Sequence, residues 1–292
     1  MSRPVHQLHT IAQWEALDPG VRSVILGHIR LKDRLQKWRR EKEQQRGGPL
    51  SEPKWVPCRN CDKAGWVLVE PRYPGIHPSQ LPQPCLLKVW FEMNGKEGRS
   101  GHEARTLFIF DIGHAIHHML QTYGQQGAWG EHYEPEVKIN GEKQAISEEL
   151  FLEGSMDADN ILVIDDIPNC ETIFEVGVVH EYKTIKQENF NKLSRPKPEH
   201  REQAMIYARV QDRPVVVFLY VNKNDGNMTD YPVAFDRNIW NTVEQKARTL
   251  VQHYDAGQPP PADPGYHCQQ CQYAFDCPAY AAYSRQRTGT RR

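Results

Sequence analysis

The chain has 292 residues, a quarter of them charged, with a formal net charge of -1 at pH 7. That length can bury a substantial core as one large domain or one domain with an appendage. The near balance excludes a protein that coats polyanions through bulk positive charge, so a polyanionic partner has to be met by a local basic patch. No apolar run is long enough to span a membrane, and Met1-Ser2-Arg3-Pro4 does not open a secretion signal. No membrane partner is therefore expected, and the expected location is cytoplasmic.

Residues 1–20 carry little pattern. Residues 21–45 read as one basic amphipathic helix, with Val24, Ile25, Ile29, Leu31, Leu35 and Trp38 near helical spacing. Its mixed charge run, residues 37–43, reads as a solvated helix face. Gly47-Gly48-Pro49 ends it. Cys58 and Cys61 form a C-x-x-C, which is half of a small zinc site with His77 the nearest further donor, or two free thiols. Residues 66–69 read as a short strand. Pro71, Pro74, Pro78, Pro82 and Pro84 make an irregular linker. They place a boundary near residue 78, between an N-terminal accessory segment (1–78) and a main domain (79–284) followed by a basic tail (285–292).

Within the main domain the pattern predicts helices over 84–91 and 107–123 and a short strand over 137–139. A hairpin is predicted from 149–157 and 160–164, with Ala158-Asp159 near its turn. Strands are predicted over 174–183, 215–221 and 231–235. Helices are predicted over 198–209 and 236–254, the latter capped by Asp236. The fold class is α/β (α+β): a mixed central sheet flanked by helices.

Chemistry concentrates at the end of the apolar run Phe174-Glu175-Val176-Gly177-Val178-Val179, which finishes in His180-Glu181-Tyr182-Lys183. On a strand, Glu181 and Lys183 share one face and Tyr182 takes the other. A carboxylate and an ammonium so placed form a plain ion pair, or hold a metal ion and orient a water. Three further signals accompany them in chain order. Gly113-x-x-x-His117 lies on a predicted helix. Gly154-Ser155-Met156-Asp157 puts an acid at a strand end. Gln203 and Tyr207, spaced i, i+4, lie on one helix face. Each alone reads more simply as a structural residue.

Together and in this order they resemble the PD-(D/E)xK nuclease superfamily, and within it the RecB-like branch. The resemblance covers roughly residues 79–280 and implies a restriction-endonuclease-like core. It implies that Asp157 and Glu181 hold Mn²⁺ or Mg²⁺ with His117 and the carbonyl of Tyr182. It further implies that Lys183 stabilises transition-state charge or orients the attacking water, and that Gln203 and Tyr207 position the scissile strand or the ligands. An imidazole ligand favours Mn²⁺ more than an all-oxygen site does. Lys186, Lys192, Arg195, Lys197 and Arg201 are candidate phosphate contacts or ordinary surface cations.

Cys268-x2-Cys271-x5-Cys277-Pro278 offers three thiolates at close spacing, suited to zinc or to an iron–sulfur cluster. A subset of RecB-like nucleases, the CRISPR-associated and AddB-type exonucleases, adds one cysteine upstream of the nuclease motifs and binds a 4Fe–4S cluster. The stretch around Cys85 resembles that upstream segment, so the resemblance implies a cluster on Cys85, Cys268, Cys271 and Cys277. Its departure is a proline before rather than after Cys85. Such a cluster would clip the start of the domain to its end.

The implied function is a metal-dependent DNA nuclease, an exonuclease on DNA ends or single-stranded DNA with endonuclease action compatible. Recombination, repair, phage and CRISPR-adaptation settings all fit, with a protein partner in recombination or CRISPR adaptation, in a bacterium or in the host cytoplasm if phage-encoded. The rival is a non-catalytic iron–sulfur or zinc DNA-binding adaptor.

Overall fold

The computed structural model describes residues 3–46, 75–96, 98, 104–139, 150, 152 and 154–289. The N-terminal part forms β1 (Val5–Leu8), α1 (Ile11–Glu15), α2 (Pro19–His28) and α3 (Leu31–Arg46). Then come α4 (Leu86–Met93), α5 (Ala104–Gln125), β2 (Glu134–Ile139), β3 (Gly154–Ile164) and β4 (Ile173–Ile185). The rest comprises α6 (Gln187–Phe190), α7 (Pro198–Val210), β5 (Val215–Asn222), β6 (Met228–Ala234), α8 (Arg237–Asp255) and α9 (Pro278–Gly289).

The strands form one mixed sheet in the order β2-β3-β4-β5-β6. β4 and β5 run parallel, with α6 and α7 in the crossover, and the other neighbours along that path are antiparallel. β5 is buried at every residue, as expected of the apolar run Val215-Val216-Val217-Phe218-Leu219-Tyr220-Val221 covered on both faces. On one face Val179, Val216, Phe218 and Tyr220 pack against Met205 and Ala208 of α7 and the Trp240, Val243, Ala247 and Leu250 stripe of α8. On the other, Val176, Val178, Val217 and Leu219 pack against Ile25, Ile29, Leu31, Leu35 and Trp129. Each large aliphatic side chain buried this way contributes about 1.5–3 kcal/mol relative to exposure. The predicted cap of α8 is present: Asp236 accepts from the amides of Asn238 and Ile239 at 3.0 and 3.2 Å.

Three expectations need correction. Residues 21–45 are not one helix, because the chain breaks at Ile29, which is extended (φ -79°, ψ 110°). Asp18 starts α2 instead, accepting from Gly20 N at 2.7 Å ahead of Pro19. Within the predicted hairpin at 149–164, residues 154–164 form the single strand β3 with no turn at 158–159, Ala158 pairing with His180 and Asp159 with Val179. Asp159 resembled a turn residue, but the guanidinium of Arg213 neutralises it in mid-strand, Nε to Oδ1 at 2.7 Å. Finally, the quiet residues 3–20 are structured. β1 pairs parallel with the first half of β4 (Val5 opposite Ile173), on the edge that β5 takes over further along. The segment that follows β1 lies so close that a Cβ at Gly177 would stand 2.7 Å from His9 O. Residues 3–46 thus contribute to the same sheet and core as the main domain. The predicted strand at 66–69 and the Cys58/Cys61 pair lie outside the described residues, as do residues 290–292 of the basic tail; residues 285–289 belong to α9.

Candidate active site

The pairing of β3 with β4 ends at Ala158–His180, while β5 continues alongside β4 to Ile185. The last residues of β4 therefore lie between a strand on one side and an opening on the other. Glu181 and Lys183 project toward α7, and Tyr182 points through the sheet to the opposite core, as the strand alternation requires.

On the α7 side the contacts form a chain. Lys183 Nζ lies 2.5 Å from Glu181 Oε1 and donates to Gln203 Oε1 at 3.2 Å. Gln203 Nε2 then donates to the Tyr207 hydroxyl at 3.0 Å, across one helical turn. Glu181 is 1% exposed, and its second oxygen, Oε2, is buried with no hydrogen-bond partner. An unpaired buried carboxylate oxygen is costly. Burial pushes the Glu181 carboxyl above the ordinary carboxylate range against the pull of Lys183. Burial opposes charge on Lys183, and Glu181 outweighs it, holding the ammonium above the usual lysine value. Burial, then the Glu181 charge, raises the Tyr207 phenol, which stays neutral.

Asp157 closes the opening from β3. Its Oδ2 accepts from Tyr182 N at 2.7 Å, and its Oδ1 lies 3.0 Å from His117 Nδ1 on α5. Burial works against a proton on His117, but the hydrogen bond and charge of Asp157 prevail and raise its pKa. Gly113, one turn before His117, faces β4: a Cβ there would make ordinary contact with Thr184 Oγ1 at 3.4 Å.

Residues that sequence reasoning did not single out support this arrangement. Gln121 donates to Glu136 Oε1 at 2.7 Å and to Asp157 O at 3.3 Å. Behind the sheet, the Tyr182 hydroxyl meets Tyr133 at 3.0 Å and His180 Nδ1 at 3.1 Å, against the ring of Trp129. Burial pushes His180 down to about 3, so it is neutral there. His200 of α7 stacks on Tyr220 and meets its hydroxyl at 2.8 Å. Burial, then Lys183 and Lys197, lower His200 to about 3. His200 precedes Gln203 by one helical turn, a spacing that was readable; the Tyr133 and Gln121 contacts follow no local period.

Among the described residues no three His, Cys, Asp or Glu side chains are gathered tightly enough to hold an ion as they stand. Asp157 is engaged with His117 and Tyr182, and one Glu181 oxygen with Lys183. The donor chemistry nonetheless suits a hard divalent cation: two carboxylates, an imidazole and one carboxylate oxygen lacking a partner.

Four of the cysteines come together elsewhere. Cys85 is the N-cap residue of α4. Cys268 lies in the 3-10 turn Tyr266–Gln270, and Cys271 and Cys277 follow that turn and the next. All four, unpaired, line one cavity of about 250 Å³. The walls are already tied together, with Tyr273 donating to Lys96 O at 3.1 Å and its ring 5.1 Å from that of Phe91. A single zinc would need its sulfurs about 2.3 Å from one point, and the thiols are not so gathered. Of the basic candidates, Lys186, Lys192 and Arg195 are exposed. Lys197 lies 4.0 Å from Glu199, and Arg201 lies 3.4 Å from Asp236.

No protein-family model matches the chain, and no curated protein matches it. Among solved structures, that of SSO0001 is 16% identical with a TM-score of 0.41, covering 86% of this chain and 94% of its own. An alkaline exonuclease from Laribacter hongkongensis is 14% identical with a TM-score of 0.41, covering 64% of this chain and 90% of its own. The same exonuclease in complex with dAMP is 12% identical at a TM-score of 0.41. Likenesses of this size carry no argument about activity.

Proposed function

We propose that the chain is a metal-dependent deoxyribonuclease of the PD-(D/E)xK type, hydrolysing phosphodiester bonds at DNA ends or in single strands. The observation that carries the reading is the buried Glu181 Oε2 without a partner, beside Asp157, His117 and an ammonium held by Gln203. A partnerless buried carboxylate oxygen is a group that a bound cation or an ordered water would satisfy. Asp157, Glu181, His117 and the carbonyl of Tyr182 would hold Mn²⁺ or Mg²⁺. When bound, the ion would neutralise charge on the phosphate and lower the pKa of water.

The chain's own residues do the rest. In hydrolysis the water oxygen bonds to phosphorus and gives up a proton to solvent as the bond to the leaving oxygen breaks and that oxygen takes up a proton, and negative charge builds on the phosphoryl oxygens in between. Lys183, kept protonated by Glu181, offsets that charge. Gln203 fixes Lys183, and the neutral Tyr207 fixes Gln203, so the ammonium is positioned before substrate arrives. A 4Fe–4S cluster on Cys85, Cys268, Cys271 and Cys277, which line one cavity, would act as a structural staple. Iron and sulfide analysis of anaerobically purified protein is expected to find about four irons per chain; zinc alone overturns that assignment. The sequence has no G-x-x-x-x-G-K-(S/T) phosphate loop, so the chain would act alone or receive DNA from a partner in recombination, repair or CRISPR adaptation.

A second reading, a non-catalytic DNA-binding adaptor, draws on the absence of a gathered ligand set among the described residues. Digestion of end-labelled single- and double-stranded DNA, with free and blocked ends, in Mn²⁺ or Mg²⁺ separates the two. Cleavage by the wild type, lost in folded Asp157→Ala and Lys183→Ala, supports the enzyme. Cluster-loaded protein that binds DNA and cleaves none of these substrates supports the adaptor.

A further inference from the structure

Helix α7 brings one more polar side chain to the face that fixes Lys183. His200 lies three residues before Gln203 and seven before Tyr207, on the same side of the helix. On the sheet beneath, Lys183 of β4 is the register partner of Tyr220 of β5, and both side chains project toward α7. The His200 ring stacks on that of Tyr220, with centroids 5.7 Å apart, so it stands over the strand next to Lys183. The Lys183 charge is felt there: after burial, it comes first among the influences that disfavour a second proton on His200.

The hydrogen bonds fix which ring nitrogen carries the single proton. The backbone N–H of Lys197 donates to the Tyr220 oxygen at 3.2 Å. Burial raises the Tyr220 phenol, so its hydroxyl hydrogen stays in place. That hydrogen has one acceptor among the described residues, His200 Nδ1 at 2.8 Å. Nδ1 therefore accepts, and in a neutral imidazole the proton then sits on Nε2. Nε2 has no hydrogen-bond partner among the described residues and is not sealed from water. Gln203, by contrast, has both ends engaged, with Lys183 and with Tyr207. His200 thus presents a donor of fixed direction beside the site.

We propose that His200 is a further catalytic residue, donating a hydrogen bond from Nε2 to a non-bridging oxygen of the scissile phosphate beside Lys183. The inference rests on the nuclease reading of the Glu181 site and adds a substrate contact to it. Phosphate oxygens are acceptors only, so an oriented N–H next to an ammonium suits them. A neutral ring adds no positive charge beside Lys183, and its dipole needs no reorganisation as charge builds on the phosphoryl oxygens. His200 keeps its proton throughout.

The test is single-turnover cleavage of single-stranded DNA by the full chain in Mn²⁺, at saturating protein. It is run on ordinary DNA and on oligonucleotides whose linkages carry sulfur in place of one non-bridging oxygen, in either configuration. His200→Ala is expected to slow cleavage of ordinary DNA by about ten- to a hundred-fold, the scale of one hydrogen bond to a charged acceptor, with little change in DNA affinity measured in chelator. Sulfur accepts hydrogen bonds weakly. In one configuration the wild type is therefore expected to slow and His200→Ala to slow no further, as two changes to one contact should. His200→Gln, whose amide N–H can reach the place of Nε2, is expected to recover most of the rate, and His200→Asn, whose shorter amide lies nearer the place of Nδ1, little of it. A wild-type rate in His200→Ala overturns the proposal. So does a loss that is the same on oxygen and on both sulfur configurations, which marks a packing role. If His200→Ala does not fold, equal rates in His200→Gln and His200→Asn overturn it instead. Cleavage that is indifferent to His200 removes only this contact, whereas a wild type that cleaves no DNA removes the nuclease reading and this contact with it.

Discussion

Two buried acids stand on the same face of neighbouring strands. Asp159 of β3 is opposite Val179, two residues before Glu181 on β4, and the acids are 9% and 1% exposed. Each has a cation. Arg213 grips both oxygens of Asp159, at 2.7 and 2.5 Å, and also reaches His9 O at 3.3 Å. The Asp159 pair is complete and ties β3 and the N-terminal segment to the turn that leads into β5. Lys183 engages one oxygen of Glu181, is drawn aside by Gln203 and leaves Oε2 without a partner. The fork of a guanidinium satisfies a carboxylate, whereas an ammonium is a point donor that serves one oxygen and turns elsewhere. The two sites therefore respond oppositely to mutation.

The largest contrast is in activity. On the proposed nuclease reading, Glu181→Gln and Lys183→Ala are each expected to lower DNA hydrolysis by about 10² to 10⁴, the usual scale for a preorganised charge at a reacting group. Lys183→Ala also leaves the buried Glu181 without its cation and should lower the denaturant midpoint, so the stability contrast is read on Glu181→Gln, whose amide oxygen can still accept from Lys183 and whose midpoint should stay within the wild-type range. Asp159→Ala should do the reverse. It leaves Arg213 partly buried without its acid, a loss of about 3–5 kcal/mol in urea unfolding, with turnover per folded molecule near wild type. Equal effects of the two acids on stability would erase the distinction.

A smaller effect lies behind the sheet. His180 is fully buried and held at about 3, below its ordinary value of 6.5. The unfolded chain then binds more protons than the folded one between those values, so this contribution is present in full above about 6.5 and is lost as pH falls toward about 3. In chelator, the unfolding free energy should fall by about 1.4 kcal/mol per pH unit through that window on account of this group, and His180→Gln should flatten the slope.

The parts legible in sequence were those with a strong local period or two-sided burial. β5 is apolar up to its last residue, Asn222, α8 repeats its apolar residues at helical spacing, and α7 carries Gln203 and Tyr207 one turn apart, where they do meet. The face shared by Glu181 and Lys183 followed from strand alternation alone, and their ion pair is present. What escaped depends on distant partners. Asp159 belongs in mid-strand only because Arg213, 54 residues on, is there to meet it. β1 is four residues long with a largely exposed pattern, and only the edge of β4 makes it a strand. His117 and Asp157 are 40 residues apart, and no local rule joins them. Their pairing was suggested by the order of motifs in a resembled family. Tyr133, Trp129 and Gln121 had no such order to reveal them.

The most direct test is calorimetric titration of Mn²⁺ into the purified chain, compared with Glu181→Gln and Asp159→Asn. Binding that is present in the wild type and in Asp159→Asn, and abolished in Glu181→Gln, is the predicted result. Undiminished binding in Glu181→Gln, or none in the wild type, would contradict the claim that the unpartnered oxygen of Glu181 awaits a cation.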